Sequence, residues 1–138
     1  MTYLLDTNTC IKLLNGRSEP VNRRIRSLHF SEVAICSVVK AELLYGASKS
    51  VRREENLSKL QRFYAGFASL PFDDGAAETY GWLRSRLEAA GTPIGPNDLL
   101  IGAIALSNRR VLVTHNTREF GRIPGLVLED WESDPLDP

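Results

Sequence analysis

Tyr3-Leu4-Leu5-Asp6-Thr7-Asn8-Thr9 decides how the rest of the chain is read. Three apolar residues open directly into an acid and a run suited to capping a helix, so a short buried strand should pass straight into a helix. That helix carries Ile11, Leu13 and Leu14 and ends at Asn15-Gly16. The same order recurs at Val33-Ala34-Ile35-Cys36, where Ser37 leads into a second helix, Val38-Val39-Lys40-Ala41-Glu42-Leu43-Leu44. Strands that hand over to helices in this way predict an α/β domain with a mainly parallel sheet. Such sheets collect their ligands outside the carboxyl ends of the strands, so the polar residues there matter most.

Further along, Leu57, Leu60, Phe63, Tyr64 and Phe67 recur at roughly helical spacing between about Val51 and Phe67. Arg52, Arg53, Glu54, Glu55, Lys59 and Arg62 form the solvated face of that helix. Leu70-Pro71-Phe72 is a weaker strand candidate. Asp73-Asp74 then caps a helix running to about Ala90 and closed by Gly91. After the turn-rich Gly91-Thr92-Pro93-Ile94-Gly95-Pro96, a helix from Asn97 to about Asn108 is apolar on most sides and should be buried. Val111-Leu112-Val113-Thr114 is the clearest buried strand, and Leu126-Val127-Leu128 is expected as a last edge strand. The segment 132–138 is acidic and Pro-rich, and is expected to fray. No repeat or linker divides the chain, so one domain over 1–138 is expected.

Composition is ordinary for a globular domain, with 43% hydrophobic and 25% charged residues. Lys plus Arg and Asp plus Glu balance at 17 each, so net charge gives no hint of nucleic acid. The basic set is nonetheless mostly Arg, the side chain best shaped to fork onto phosphate or carboxylate. Cys10 and Cys36 lie among apolar neighbours and read as buried thiols. No basic start precedes a long apolar stretch, and no run approaches the roughly 18 apolar residues of a membrane span. The expectation is a protein of the cytoplasm with no membrane association.

Asp6 follows the first strand at once. Glu42 sits in the helix after the second strand, and Asp98 opens the buried helix after Gly95-Pro96-Asn97. Asn116 follows the strand at Val111–Thr114 with one residue between. All four are therefore placed to converge at one end of the sheet. Taken singly, Asp6 reads equally well as a helix cap, Glu42 as the partner of an Arg, Asp98 as a dipole-stabilising acid, and Asn116 as a turn residue. Their joint placement is the signal. Carboxylates crowded together raise one another's pKa unless a cation is present. Hard oxygen ligands of this kind suit Mg²⁺ or Mn²⁺, which can neutralise a phosphodiester and activate a water.

Leu4-Leu5-Asp6-Thr7-Asn8, Ala41-Glu42-Leu43-Leu44-Tyr45-Gly46-Ala47, Gly95-Pro96-Asn97-Asp98-Leu99-Leu100-Ile101-Gly102-Ala103 and Val113-Thr114-His115-Asn116-Thr117-Arg118-Glu119-Phe120 resemble the PIN-domain family. More narrowly, they are similar to the VapC-type toxins of bacterial toxin–antitoxin pairs, and Arg122-Ile123-Pro124-Gly125-Leu126 with Glu129-Asp130-Trp131 fits the same group. The resemblance spans nearly the whole chain. It implies a three-layer α/β/α fold of about four to five strands and a Mg²⁺- or Mn²⁺-dependent endoribonuclease inhibited by a VapB-type antitoxin. Asp6, Glu42 and Asp98 match the acidic metal-site positions, with Asp6 and Asp98 as the strongest ligands. Asn116 matches a fourth position held by Asp or Asn, and Glu119 is the other acid often found there. His115 stands where Asn is common in close relatives, a departure that bears on substrate contacts. Thr7 and Thr114 are expected to orient the acids by hydrogen bonds.

RNA must approach this acidic pocket against its own charge. Arg17, Arg23, Arg24 and Arg26 are the candidate phosphate contacts, with a solvated helix face as the plain alternative, and His115 is a candidate RNA contact. Among RNAs, the resemblance points to tRNA, and to initiator tRNA cut in the anticodon region. Trp82, Trp131 and the Phe63, Tyr64, Phe67 group read as packing residues. The helices from about Lys40 to Phe67 are expected to expose enough apolar surface for a homodimer or antitoxin interface. A haloacid-dehalogenase-type phosphatase is disfavoured, because Asn8 stands where that chemistry needs a second Asp. The remaining alternative is a non-catalytic PIN-type module that binds RNA or antitoxin without cutting.

Overall fold

A computed structural model describes residues 1–133. Five strands form one parallel sheet in the order β3-β2-β1-β4-β5: β1 Tyr3–Leu5, β2 Val33–Cys36, β3 Ala68–Leu70, β4 Val111–Val113 and β5 Leu128–Glu129. Seven helices connect and cover them: α1 Thr7–Asn15, α2 Glu19–Arg26, α3 Ser37–Ser48, α4 Arg53–Tyr64, α5 Asp74–Ala89, α6 Pro96–Ser107 and α7 Thr117–Phe120. Parallel strands need crossover connections, and their right-handed sense puts helices on both faces of the sheet. The central strands β1, β2 and β4 are buried at every position, as a sheet covered on both sides requires.

From β1 the chain steps outward to β2 and β3, then returns to the other side of β1 for β4 and β5. The strand order therefore reverses between β1 and β4, whose carboxyl ends frame the crevice where α/β sheets bind ligands. Asp6 N–H donates to the Val113 carbonyl at 3.1 Å, and Thr9 Oγ1 donates to the same oxygen at 3.2 Å. These two bonds lock the end of β1 and the start of α1 onto the end of β4. α1 closes at Gly16, whose φ of 64° is the left-handed cap that glycine adopts without strain.

α6 is buried from Ile101 to Ala105, as its apolar sequence predicts, and packs against α5. A Cβ on Gly102 would collide with the Ile123 side chain, so glycine here lets the segment after α7 lie close on α6. The helix foreseen over about 51–67 is shorter, Arg53–Tyr64, and the aromatic residues Phe63, Tyr64 and Phe67 pack together behind it. β3 lies two residues earlier than Leu70-Pro71-Phe72, because Pro71 has no N–H with which to extend the ladder. β5 likewise begins at Leu128 rather than Leu126, following a turn in which Gly125 takes φ 83°. α2, α7 and a 3-10 turn at Phe30–Glu32 had not been separated as elements.

Cys10 and Cys36 are buried free thiols, as expected. Trp131 is buried, whereas Trp82 is 51% exposed beneath the Arg86 guanidinium rather than packed in the core. Of the segment expected to fray, Glu132 and Ser133 are tied to Asp130 by hydrogen bonds, and 134–138 lie outside the described residues. No helix among the described residues is long and apolar enough to cross a membrane.

Arg24 is drawn inward. Its guanidinium lies 5.5 Å from the Tyr3 ring centroid and 5.7 Å from that of Trp131, and donates to Tyr3 Oη at 3.0 Å and Glu129 Oε1 at 3.4 Å. It fastens α2 to β1 and β5, so its first role is structural. Arg24→Ala should cost about 1–2 kcal/mol of unfolding free energy, the sum of cation–π and charge-assisted contacts. Arg26→Ala, which removes an exposed pair with Glu19, should cost less than about 0.5 kcal/mol. Chemical denaturation of the two variants checks the contrast, and equal losses would contradict it.

Candidate active site

Asp6 is 5% exposed and caps α1, with Oδ1 accepting from Thr9 N–H at 2.9 Å. Capping and ligation do not compete here, since a carboxylate has a second oxygen. The handover from strand to helix thus fixes both the position and the orientation of the acid. One residue on, Thr7 donates its hydroxyl hydrogen to Glu42 Oε1 at 2.8 Å, joining α1 to α3. Glu42 itself is half-buried on α3, one turn and a half beyond the end of β2.

Asp98 stands in the first turn of α6, where the positive end of a helix favours a carboxylate. Its pKa is nonetheless pushed up to about 6, by burial first and then by the charges of Glu119, Glu42 and Asp6. The helix terminus is outweighed. Three of the residues expected to converge, Asp6, Glu42 and Asp98, thus act on one another, with Glu119 as a further acid and Asn116 hydrogen-bonded to it.

Glu119 has both oxygens engaged. Oε1 accepts from Gly95 N–H at 2.8 Å and Oε2 from Asn116 Nδ2 at 3.1 Å. These two donors, the backbone first, hold its carboxyl below the usual range despite its partial burial. Asn116 N–H in turn donates to Thr114 Oγ1 at 3.0 Å, and Thr114 is fully buried. The chain Thr114, Asn116, Glu119, Gly95 links the end of β4 to the loop that aims Asp98. Gly95 was absent from the sequence-derived set, because a backbone N–H has no signature in sequence.

The donor set fits a hard divalent cation. Three carboxylates and a carboxamide oxygen suit Mg²⁺ or Mn²⁺. The raised Asp98 pKa reflects burial first and the neighbouring acids second, both of which a bound cation would offset. Among the described residues, the ligand atoms of Asp6, Glu42 and Asp98 do not all lie within 4.8 Å of one another. The tightest set is instead His115, Asp130 and Glu132, with ligand atoms within 4.8 Å of one another. That exposed cluster is satisfied by ion pairing. The His115 pKa is raised, chiefly by its hydrogen bond to Asp130, and Lys12 pairs with Glu132 at 3.7 Å.

His115 therefore turns toward Asp130 at 3.0 Å and Glu132 at 3.6 Å rather than joining the four acids. Of the four candidate arginines, Arg17 and Arg23 are exposed, Arg26 pairs with Glu19 on its own helix, and Arg24 is held by Tyr3, Trp131 and Glu129. Glu42 also has a place that sequence did not disclose. It borders two clefts, one between α1, α3 and α4 and the other between α3 and α6.

Comparison with known proteins gives a consistent picture. The PIN domain family matches residues 3–126. Ribonuclease VapC2 of Rickettsia felis is 42% identical over 133 residues, covering 96% of this chain and 99% of that protein. The tRNA(fMet)-specific endonuclease VapC of Salmonella typhimurium is 41% identical, covering 95% and 98%. Among solved structures, DNA-bound VapBC from Salmonella typhimurium superposes with a TM-score of 0.89 at 41% identity, over 95% of this chain and 98% of that one. VapBC2 from Rickettsia felis, bound to a DNA fragment from its promoter, gives 0.88 at 41% identity, over 95% and 99%.

Because the Asp98 carboxyl has its pKa raised on folding, its ionisation opposes the folded state above pH about 4, increasingly up to about 6. Asp98→Asn should accordingly stabilise the cation-free protein by about 1–2 kcal/mol near pH 7, after allowance for solvent screening, and the gain should vanish below about pH 4. Melting curves in EDTA across pH decide this, and an Asn variant no more stable at neutrality would contradict it. Glu119→Ala should release Gly95 and Asn116 at a cost of about 1–2 kcal/mol, while Glu119→Gln keeps the acceptor for Gly95 and loses less. Equal losses for the two variants would contradict the linking role.

Proposed function

The chain belongs to the PIN-domain family, and from that premise we propose that it is a Mg²⁺- or Mn²⁺-dependent endoribonuclease, a single PIN domain of the VapC type acting in the cytoplasm. The observation that carries this reading is the convergence of Asp6, Glu42, Asp98 and Glu119 on one volume, seen in the raised pKa of Asp98. Asp6, Asp98 and Glu42 are the proposed cation ligands, with Asn116 as a neutral fourth member. Glu119, Thr7 and Thr114 hold these groups in place through the hydrogen bonds described above. When bound, the cation supplies charge neutralisation at the phosphodiester and a lowered pKa for the attacking water. The chain's own residues do the rest. Asp6 is immobilised by its capping bond, Glu42 by Thr7, and the α6 terminus bearing Asp98 by the Glu119–Gly95 bond.

The proposed substrate is tRNA, initiator tRNA in particular, as the name of the Salmonella relative supports. Arg17, Arg23, Arg26 and His115 are the proposed contacts to RNA outside the acidic pocket. The proposed inhibitor is a VapB-type antitoxin, as the VapBC complexes of the structural relatives support. A cleft of about 240 Å³ between α1, α3 and α4 offers it Ile11, Leu14, Leu43, Ala47 and Leu60, and ends on Glu42. Leu44 and Val51, exposed outside both clefts, are the surface proposed for a second copy of the chain.

Purified protein incubated with a total-tRNA pool should yield discrete fragments in Mg²⁺ and none in EDTA. Asp6→Ala should lower cleavage by more than about a hundredfold, beyond the range typical of outer-shell partners. Intact RNA from cation-loaded protein, across several RNA pools, would favour a module that binds without cutting.

A further inference from the structure

The second cleft bordered by Glu42 runs between α3 and α6 and has a volume of about 590 Å³. Its walls are Val38, Ala41 and Tyr45 from α3 and Leu100 from α6, with Asn97 beside Asp98. Ligand-binding clefts commonly measure about 300–1,000 Å³, so this one has room for a base and part of its sugar. Tyr45 is 66% exposed, although a large aromatic ring on a helix is ordinarily turned inward. It lies three residues beyond Glu42, hence on the same side of α3. The Lys49 ammonium stands 4.7 Å from its ring centroid.

An exposed aromatic, apolar walls, an amide side chain and one adjoining cation, all continuous with a carboxylate of the candidate site, match one kind of occupant. We propose that this cleft receives a nucleobase of single-stranded RNA next to the scissile phosphate, stacked on Tyr45, with Lys49 meeting the neighbouring backbone phosphate. The assignment rests on the ribonuclease reading above and adds to it a subsite. Stacking is tolerant of base identity because every base offers a π face. Asn97 and the Ser37 hydroxyl, on the same walls, are uncharged groups able to both donate and accept toward a base edge. Sequence-specific recognition of RNA targets unstacked loop nucleotides, and a subsite of this shape selects unpaired RNA over a continuous duplex.

The test is fluorescence anisotropy of a labelled single-stranded oligoribonucleotide of mixed sequence on the Asp98→Asn protein, which should not cut. The same titration is run with Tyr45→Phe, Tyr45→Ala and Lys49→Ala added, and each variant is checked by melting curve and by sedimentation. Tyr45→Ala should weaken binding on the order of tenfold or more, while Tyr45→Phe stays within about twofold because the stacking face survives. Lys49→Ala should weaken binding and reduce the salt slope by about one counterion. Wild-type affinity in a folded Tyr45→Ala variant would overturn the subsite. So would a change of sedimenting mass in that variant, which would make the cleft a contact between copies of the chain. Cleavage of tRNA by the unmodified protein is measured in parallel. If it cuts while the Tyr45 variants bind unchanged, the subsite alone fails; if it neither binds nor cuts, the ribonuclease reading fails with it.

Discussion

Acidic side chains from four elements are held where strands β1 and β4 part company, and their mutual repulsion is the constraint that the surrounding structure meets. Parallel strands leave their carboxyl ends, and the helix starts that follow, at one edge of the sheet. The reversal of strand order then opens a crevice there. An acid directly after β1 and another at the start of α6 are thereby brought together whatever their separation in sequence. Left to themselves such groups would protonate or turn away. Three of the four are instead anchored by a donor. Thr9 N–H holds Asp6, Thr7 holds Glu42, and Gly95 N–H with Asn116 holds Glu119.

Asp98 is the fourth, with no side-chain donor of this kind among the described residues, and it carries the raised pKa. An acid that is poorly accommodated by the protein alone is well suited to a ligand that brings positive charge. The Glu119 link makes the arrangement cooperative, because the loop that aims Asp98 is fastened to the residue that follows β4. Glu42 has a further consequence, since it borders both the apolar cleft toward α1 and α4 and the cleft toward α6. The two clefts thus share one lining carboxylate.

Much of this was legible in sequence where periodicity and capping chemistry are local. Tyr3–Leu5 running into Asp6, the helix bearing Glu42, the apolar helix opening with Asp98 and the strand at Val111–Val113 all stand where their patterns put them. The elements that were missed are short or mixed in character. α7 has four residues, too few to show a period, and the Arg-rich α2 buries Val21 alone. The arginines illustrate the larger limit. Nothing in the composition of the stretch distinguishes Arg24, which packs against the Tyr3 and Trp131 rings, from Arg26, which pairs on its own helix. The role of Glu119 depends on a backbone N–H from a distant loop, and the exposure of Tyr45 on how α3 meets α6; neither is encoded in any local pattern.

Paramagnetic broadening by Mn²⁺ of the amide resonances of the isotopically labelled protein would locate a bound cation most directly. Titrated from low Mn²⁺, broadening should begin at the amides of Asp6, Glu42, Asp98 and Asn116 and be reversed by excess Mg²⁺. Broadening that begins instead around His115, Asp130 and Glu132, or that spreads evenly over the acidic surface, would contradict a cation site at the β1–β4 crevice.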